Sequence, residues 1–515
     1  MHAIGRAGDQ EAVRRDDLPG VTAHCRLRAQ LIEQNDGIWL LAERPLRLLR
    51  VHPRVVPLLR ALQSDPAVER ALRAARGLSW EAAIAFLERL SDEGLAQLTW
   101  SVPDDLLPTV SVVVPVRNRP AQLEACLAAL ARLDYPVDRL EVIVVDDASS
   151  DDTASRARAW SGRLPLRVLR LPERVGAAEC RNRGAQVARG EILGFTDSDC
   201  LPNPSWLREL APEFVRPSVV AVGGAVVPAD ETSWLDRYEA VESPLTHGWE
   251  PARVQPRGAV PYLVTANMLV RRQALLAAGG FARIHPGEDV DLVWRLCARG
   301  GRVLYRPQGV VAHDHRDRLW PFLVRRASYA SSEVVLVQRH PRYRHATVVP
   351  VALVFSVAWT VCCWRRRWRG LAPLALIPAV ADLVAAARST RRSGAPVPTL
   401  TLLRAEVRGT LAALYWLGRT VSRYYSWPAL LAGGALRHRA LGRWLAGTAG
   451  LGLAATALTD YVRKRPRLDP VRFVLAHLLD DLANNAGLLV GCLRHRTLRP
   501  LLVELRLYFP RSRSE

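Results

Sequence analysis

Four strand-like runs alternate with helical segments between residues 109 and 195, and this order constrains the fold more than any other feature. The first two runs are β-branched and apolar on both faces, as in central strands of a parallel sheet. The segments between them have apolar residues at helical spacing. Strand and helix in alternation predict a doubly wound α/β sheet. The runs are Thr109–Val116, Leu140–Val145, Leu166–Leu171 and Glu191–Phe195.

Three of these runs end in residues that could bind a ligand. The first ends with Pro115–Asn118, the second is followed by Asp146 and Asp147, and the fourth is followed by Asp197 and Asp199. Ligands of such sheets bind beyond the carboxyl ends of the strands, so we expect these residues to meet. If the fourth strand continues, its period of two puts Asp197 and Asp199 on one side, where carboxylate oxygens suit Mg²⁺ or Mn²⁺. The alternatives are a solvated turn for this D-x-D triplet and a helix cap for Asp146 and Asp147.

Four motifs together resemble those of the family 2 inverting glycosyltransferases, which have the GT-A fold. They lie within residues 109–325 and are more specific together than singly. The resemblance implies a nucleotide-sugar donor and a divalent cofactor, Mg²⁺ or Mn²⁺. The polysaccharide synthase motif Q-x-x-R-W is missing from the sequence, which puts long-chain synthesis in doubt. The motifs are Ser111–Asn118, Val144–Thr153, Arg181–Gly184 and Thr196–Cys200.

The resemblance also implies roles for single residues on the donor side. Asp146 and Asp147 would hold the nucleobase and ribose, and Arg183 would lie near the diphosphate or ribose. A carboxylate accepts from a uracil N–H or a ribose hydroxyl, and a guanidinium suits phosphate oxygens. The full predicted set for the nucleotide-sugar is Pro115, Arg117, Asp146, Asp147, Arg183, Asp197 and Arg325, with Arg326 as the alternative to Arg325.

Two adjacent acids, Glu288 and Asp289, begin a segment with helical spacing. Acids in the first turn of a helix are stabilised by its dipole, which is the purely structural explanation. In the family, the acid that matches Asp289 is the general base, which takes the proton of the acceptor hydroxyl as the anomeric carbon inverts. Glu288 is the second choice, because neighbouring acids on a helix face different directions. Asp291 could orient them.

A histidine follows the last strand-like run of this region. Family members often have a metal ligand here, and His313 matches it best, with His315 as the alternative. The resemblance therefore implies that Asp199 and His313 bind the metal. A lone histidine is also common on a surface or in a core, which is the competing explanation.

The first hundred residues predict a small module. Residues 1–20 are polar, and residues 21–106 follow the order strand, strand, helix, helix, strand. This order resembles the PqqD-like winged-helix modules, which bind precursor peptides of ribosomally made natural products. The alternative is a helical cap that packs on the next domain. DNA binding is discounted, since no Arg-rich recognition helix is evident.

Residues 346–515 are apolar and basic. The run Ala346–Cys363 is uncharged, and its length is about the minimum for a membrane span. Trp and Arg residues follow it, as is typical at the membrane interface. Phe473–Leu493 contains two Asp and two Asn and is a poor lipid-facing helix. We expect one or two embedded helices and amphipathic helices on the anionic cytoplasmic leaflet of the cell membrane, with the transferase domain, residues 107–345, on that side. A soluble helical bundle is the alternative.

Composition is consistent with this layout. The formal net charge is +21, which fits phosphate substrates or an anionic membrane, and no nucleic-acid signature accompanies it. The eight cysteines contain no C-x-x-C, which favours a reduced compartment.

The whole layout resembles the mycofactocin-system glycosyltransferases. This implies glucosyl transfer from UDP-glucose to a peptide-derived redox cofactor. The alternatives are a lipid-linked or cell-wall glycosyltransferase and a non-catalytic scaffold that binds a nucleotide-sugar.

Overall fold

The chain folds into two compact units. The structure is a computed structural model that describes residues 15, 18–34, 37–43, 46–314, 318–343, 346–350, 359, 374, 377–392, 397–502 and 504–508. The α/β unit contains Met1–Arg26, Ala61–Phe322 and Pro466–Leu468, and the helical unit contains Leu27–Arg60, Leu323–Arg465 and Asp469–Glu515.

The N-terminal elements are divided between the two units. The predicted first strand is interrupted, so β1 pairs with β5 while β2, β3 and β4 form a separate antiparallel sheet. The structure has three helices in this region, whereas the sequence pattern predicts two. Ser79 caps the third helix, because its side chain accepts a hydrogen bond from Ala82 N. The winged-helix similarity stays a prediction. The elements are β1 Thr22–Leu27, β2 Gln30–Gln34, β3 Gly37–Glu43, β4 Leu46–Val51, α1 Val56–Ser64, α2 Val68–Ala74, α3 Trp80–Asp92 and β5 Ala96–Ser101.

An eight-stranded sheet forms the centre of the α/β unit, which confirms the predicted α/β class. Its strand order is β13-β15-β11-β14-β9-β6-β7-β8. The four predicted strands, β6 to β9, pair in parallel as expected. The sheet as a whole is mixed, because β14 runs antiparallel to both β9 and β11, and β13 runs antiparallel to β15. The strands are β6 Val110–Val116, β7 Leu140–Asp146, β8 Leu166–Arg170, β9 Ile192–Phe195, β11 Val219–Gly223, β13 Ala252–Arg253, β14 Met268–Arg271 and β15 Arg302–Tyr305.

A small second sheet covers the end of β9. Its order is β10-β16-β12, with Cys200 directly opposite His313. Helices pack on both faces of the large sheet, and its central strands are completely buried. The strands are β10 Cys200–Pro202, β12 Val226–Pro228 and β16 Val311–His313, and the helices are α4 Pro120–Leu130, α5 Thr153–Arg158, α6 Ala177–Val187, α7 Trp206–Leu210, α8 Trp234–Glu242, α9 Arg272–Ala277 and α10 Glu288–Ala298.

Helix α3 docks on the edge of the large sheet through charged groups. Asp92 accepts from Arg302 at 2.7 Å and from Arg253 at 3.1 Å. Glu88 accepts from Arg302 at 3.2 Å and from Arg216 at 3.3 Å. Arg216 and Arg302 are buried, so these ion pairs are shielded from solvent.

The helical unit is built on long helices with polar residues inside. Asp481 accepts two hydrogen bonds from Arg419, at 2.6 and 2.7 Å, and Tyr415 Oη donates to Asp460 at 2.9 Å. His477 Nε2 lies 3.2 Å from Asp460 Oδ2. The first four residues of α11 belong to the α/β unit. The helices are α11 Leu319–Arg339, α12 Ile377–Arg392, α13 Thr399–Thr420, α14 Ser426–Ala435, α15 Ala440–Lys464 and α16 Pro470–Arg494. The unit also contains the strand pair β17 Ala346–Pro350 and β18 Glu504–Tyr508.

Evidence for a membrane span is weak. Among the described helices, α16 is long and apolar enough to cross a membrane, and half of its most apolar window is buried inside the protein, as in the core helix of a soluble protein. The uncharged run Ala346–Cys363 begins as strand β17, and apart from Trp359 the rest lies outside the described residues.

Candidate active site

The D-x-D acids lie in a turn after β9, which ends at Phe195. The expectation that Asp197 and Asp199 sit on one side of a strand is therefore wrong. Thr196, the first residue after the strand, donates its hydroxyl to Ala266 O at 3.0 Å. The two acids then face different partners. Asp197 binds Arg181 at 2.6 Å, whereas Asp199 binds Arg119 and lies beside His313.

Arg181 joins the donor motif to the helix that carries the candidate base. Its guanidinium donates to Asp197 Oδ1 at 2.6 Å and to Glu288 Oε1 at 2.8 Å. The side chain is almost completely buried. Burial alone would lower the pKa of Arg181, but the charges of Asp197 and Glu288 outweigh it and raise the pKa, so the group stays charged. Sequence reasoning missed this residue.

The two adjacent acids of α10 have different surroundings. Burial would raise the pKa of Glu288, but the hydrogen bond from His285 and the charge of Arg181 lower it overall. Burial and the charge of Glu288 raise the pKa of Asp289 to about 6. Asp289 Oδ1 accepts from Val290 N at 2.8 Å, and Oδ2 has a long contact of 3.4 Å with Thr265 N. Asp289 is therefore the acid that changes its protonation near neutral pH.

Asp199 and His313 lie close enough to share a cation. His313 Nε2 is 3.8 Å from Asp199 Oδ1, while Arg119 donates to Asp199 Oδ2. Burial would raise the pKa of Asp199, but the charges of His313 and Arg119 lower it overall. An ionised carboxylate and an imidazole nitrogen at this separation fit a divalent metal. His315, the other candidate, lies outside the described residues.

Asp146 and Asp147 follow β7, and both are buried. Asp147 accepts from Val175 N at 2.6 Å and Gly176 N at 3.0 Å, so both its oxygens hold the loop before α6. Asp146 Oδ1 accepts from Ser149 N at 3.1 Å, which is the turn-capping contact that the sequence left open.

Asp146 Oδ2 is buried without a hydrogen-bond donor among the described residues, and Arg170 Nε lies 3.4 Å away. Arg170 also lines a pocket after β7, which we call the polar corner. Arg170 thus connects this pocket with the buried oxygen of Asp146. The other lining residues are Ala148, Ser149, Ser150, Leu171 and Pro172.

The remaining predicted residues are placed as follows. Pro115 is buried in β6, and Arg117 is exposed just after it. Arg183 is half-exposed and pairs with Glu179 on its own helix at 2.9 Å, whereas Arg181 binds Asp197 and Glu288. Arg325 belongs to the helical unit, where its guanidinium lies over the ring of Tyr329.

Comparison with known proteins extends this description. Residues 111–277 match the family described as glycosyl transferase family 2. The chain is 32% identical over 489 residues to the pre-mycofactocin glycosyltransferase of Mycobacterium tuberculosis, covering 92% of this chain and 95% of the relative. It is 30% identical over 215 residues to glycosyltransferase AglE of Haloferax volcanii, covering 41% of this chain and 68% of the relative.

A solved structure is also similar. The mannosyltransferase PcManGT from Pyrobaculum calidifontis, in complex with GDP-Man and Mn²⁺, is 24% identical with a TM-score of 0.38, covering 70% of this chain and 89% of that one. The similarity to the Mycobacterium tuberculosis protein covers almost the whole of both chains, including the terminal regions as well as residues 111–277.

Proposed function

Because this chain belongs to the pre-mycofactocin glycosyltransferases and carries a family 2 transferase domain, we propose that it transfers a hexose to a peptide-derived redox cofactor of the mycofactocin type, with UDP-glucose as donor. The chain is accordingly an enzyme, which excludes a non-catalytic scaffold. One observation carries the proposal: Arg181 bridges Asp197 of the donor turn and Glu288, the neighbour of Asp289.

The donor is held at the carboxyl ends of β6, β7 and β9. The buried Asp146 Oδ2 accepts from a nucleobase N–H, and Arg170 and the polar corner after β7 surround the base. Such a partner stabilises Oδ2, which has no hydrogen-bond donor among the described residues, because an unsatisfied buried acceptor is costly. The exposed Arg117 then donates to the sugar diphosphate, while Asp197 accepts from a hydroxyl of the sugar or ribose.

Asp289 is the general base of an inverting reaction. The acceptor hydroxyl gives its proton to Asp289 Oδ2, whose contact with Thr265 N is long, while the hydroxyl oxygen attacks the anomeric carbon. The bond to the diphosphate breaks on the opposite face, so a single base suffices and no covalent sugar intermediate forms. A pKa of about 6 leaves Asp289 largely ionised at neutral pH, and the raised pKa makes it a stronger base than a solvent-exposed aspartate.

Asp199 and His313 would hold Mg²⁺ or Mn²⁺ through a carboxylate oxygen and an imidazole nitrogen. When bound, the ion neutralises the charge that develops on the leaving diphosphate. Arg119 fixes the other oxygen of Asp199 and so directs Oδ1 toward His313.

The helical unit attaches the enzyme to the cytoplasmic face of the cell membrane. Support comes from a stripe of exposed apolar side chains along α13, each between 43 and 60% exposed. Its spacing of three and four residues places the stripe on one face of the helix. Basic clusters at 437–443 and 463–467 suit an anionic leaflet. The stripe consists of Leu400, Leu403, Val407, Leu411 and Leu414.

Transfer is tested with the purified full chain. The protein is incubated with a panel of nucleotide-sugars, Mg²⁺ or Mn²⁺, and either the peptide-derived acceptor or a lipid extract, and products are read by mass. We expect one hexose added to the peptide-derived acceptor from UDP-glucose. Asp289→Asn should lower kcat by about 10²- to 10⁴-fold and leave nucleotide-sugar binding intact.

The matched control is Asp138→Asn, which changes an exposed acid of the same unit and should leave kcat unchanged. If only lipids from the extract gain the mass of a hexose, the lipid-linked alternative replaces the proposed transfer to a peptide-derived cofactor. Undiminished transfer by Asp289→Asn would remove the base assignment.

A further inference from the structure

A thiol lies among the groups that face the candidate cation. One donor atom from each of Asp199, Cys200 and His313 lies within 4.8 Å of the other two. Cys200 and His313 are directly opposite each other in the antiparallel pair β10 and β16, so their side chains point to the same face of this sheet. The transfer reaction described above has no use for this thiol.

The spacing of the three groups is close to that of ligands on one ion. Two ligands at about 2.1 Å from a tetrahedral ion are roughly 3.4 Å apart. His313 Nε2 and Asp199 Oδ1 are 3.8 Å apart, so a shift of a few tenths of an ångström joins them on one ion. The thiol is the third donor of this set. A tetrahedral ion held by three donors has one further coordination position.

The chemical types of these donors favour a different cation from the one that transfer needs. Mg²⁺ and Mn²⁺ prefer oxygen ligands, whereas a set of thiolate, imidazole and carboxylate suits Zn²⁺ and similar borderline ions. Cys200 is completely buried, so its sulfur is shielded from solvent beside the other two donors. Ligation replaces the S–H proton by the metal and releases that proton to solvent.

We propose that Asp199, Cys200 and His313 form a Zn²⁺ site that overlaps the site of the hard cation, with Cys200 as the thiolate ligand that selects zinc. The proposal rests on the proposed function only in taking Asp199 and His313 as cation ligands. Zinc then competes with Mg²⁺ or Mn²⁺ and slows transfer, and Cys200 sets the sensitivity of the enzyme to zinc.

Binding is tested first with Co²⁺, whose visible and near-ultraviolet absorption reports its ligands. Wild-type full chain loaded with Co²⁺ should show the intense charge-transfer band of a thiolate-bound tetrahedral ion. Cys200→Ser should lose this band, because its hydroxyl is a poor ligand. The matched control is Cys126→Ser, which removes another completely buried cysteine that donates to Asp197 O at 3.6 Å. It should keep the band.

Selectivity is tested by competition titration with Zn²⁺ and Mn²⁺. Cys200→Ser should weaken Zn²⁺ binding by about 10-fold or more, since loss of a ligand costs at least as much as loss of a group that orients one. Its Mn²⁺ affinity should change little. His313→Ala should weaken both ions and shows that the binding is at this site.

An unchanged Co²⁺ spectrum and Zn²⁺ affinity in Cys200→Ser would overturn the proposal. Cys200→Ala, which is smaller and apolar, repeats the test if the serine variant unfolds. These readouts need no sugar transfer, so a failed transfer assay would refute the proposed function and leave the zinc result standing. The converse result is normal transfer together with equal zinc inhibition of wild type and Cys200→Ser. That result would refute the zinc site and leave the proposed function standing.

Discussion

The α/β unit and the helical unit place their buried charges differently. The central strands of the α/β unit contain completely buried valines such as Val112 and Val144, and its charged groups gather at strand ends. The helical unit buries Asp481 and His477 completely within a long helix, whereas Leu411 on α13 is 60% exposed. Exposed leucines of this kind are what the proposed contact with lipid requires.

The comparison also separates two uses of buried charge. In the α/β unit, Arg181 and its acids lie next to Asp289, the proposed general base, so we expect their burial to affect reactivity. In the helical unit, Arg419 and Asp481 connect α13 with α16, so their burial fixes how the helices pack. Substitutions of these residues should therefore lower activity in the α/β unit and stability in the helical unit.

The largest effect is expected from Arg419→Met. The change removes the guanidinium partner of the buried Asp481, with His477 Nδ1 remaining 3.7 Å away, and should lower the free energy of unfolding by about 3–5 kcal/mol. Urea unfolding followed by circular dichroism in detergent micelles measures it. Arg404→Met, at an exposed position of the same helix, should change the free energy by less than about 0.5 kcal/mol. Equal effects of the two variants would show that the buried pair does not hold the helices.

The next effect is expected from Arg181→Met, which should lower kcat/KM about 100-fold because Asp197 and Glu288 lose their common partner and shift. The matched control is Arg216→Met, another buried arginine with two carboxylate partners, Glu213 and Glu88. Both variants should lose thermal stability, but kcat/KM of the folded fraction should fall only for Arg181→Met. A parallel kinetic loss in the control would assign Arg181 a structural role only.

A smaller effect is expected on the exposed stripe of α13. Leu403→Asp with Leu411→Asp should weaken binding to vesicles containing anionic lipid by roughly 10- to 100-fold, since each leucine loses part of its transfer free energy. Flotation of the full chain with the vesicles measures the bound fraction. Val137→Asp changes a side chain of the α/β unit that is 71% exposed and should not alter flotation. Unchanged binding of the double variant would contradict the proposed lipid contact.

The smallest effect concerns pH. Because the pKa of Asp289 is raised to about 6, log kcat/KM should rise with pH and level off above that value. Stability should change in the opposite sense: a carboxyl with a raised pKa favours the folded state when protonated, and this contribution is lost as pH rises through about 6. Asp289→Asn should therefore be more stable than wild type at pH values above about 6. A flat rate profile would exclude Asp289 as the titrating base.

Much of the α/β unit follows from its sequence. The runs at Thr109–Val116 and Leu140–Val145 match β6 and β7 within one residue, because β-branched apolar runs have few other ways to be buried. The antiparallel strand β14 is harder to derive from the sequence. The stretch that leads into it begins at Pro261, but the strand starts only at Met268, after a 3-10 turn whose Asn267 side chain donates to two carbonyl groups. Such a turn depends on partners that are distant in sequence.

The site was predicted less completely. Motif matching favoured Arg183, yet Arg181 is the buried arginine that binds the acids. A signal was present: Ala178, Arg181, Ala185 and Ala188 recur at spacings of three and four, so Arg181 lies on the apolar face of α6. The turn at Asp197 and Asp199 has no such signal, since the hydroxyl of Thr196, where the turn begins, donates to a carbonyl that is distant in sequence, Ala266 O.

The docking of α3 has a practical consequence for anyone who shortens this enzyme. A chain that starts at residue 107 lacks Glu88 and Asp92 and so removes carboxylates that neutralise Arg302 and Arg216 beneath them. Isolated residues 107–345 should then collect in inclusion bodies, whereas a version that keeps the amino-terminal helices should remain folded.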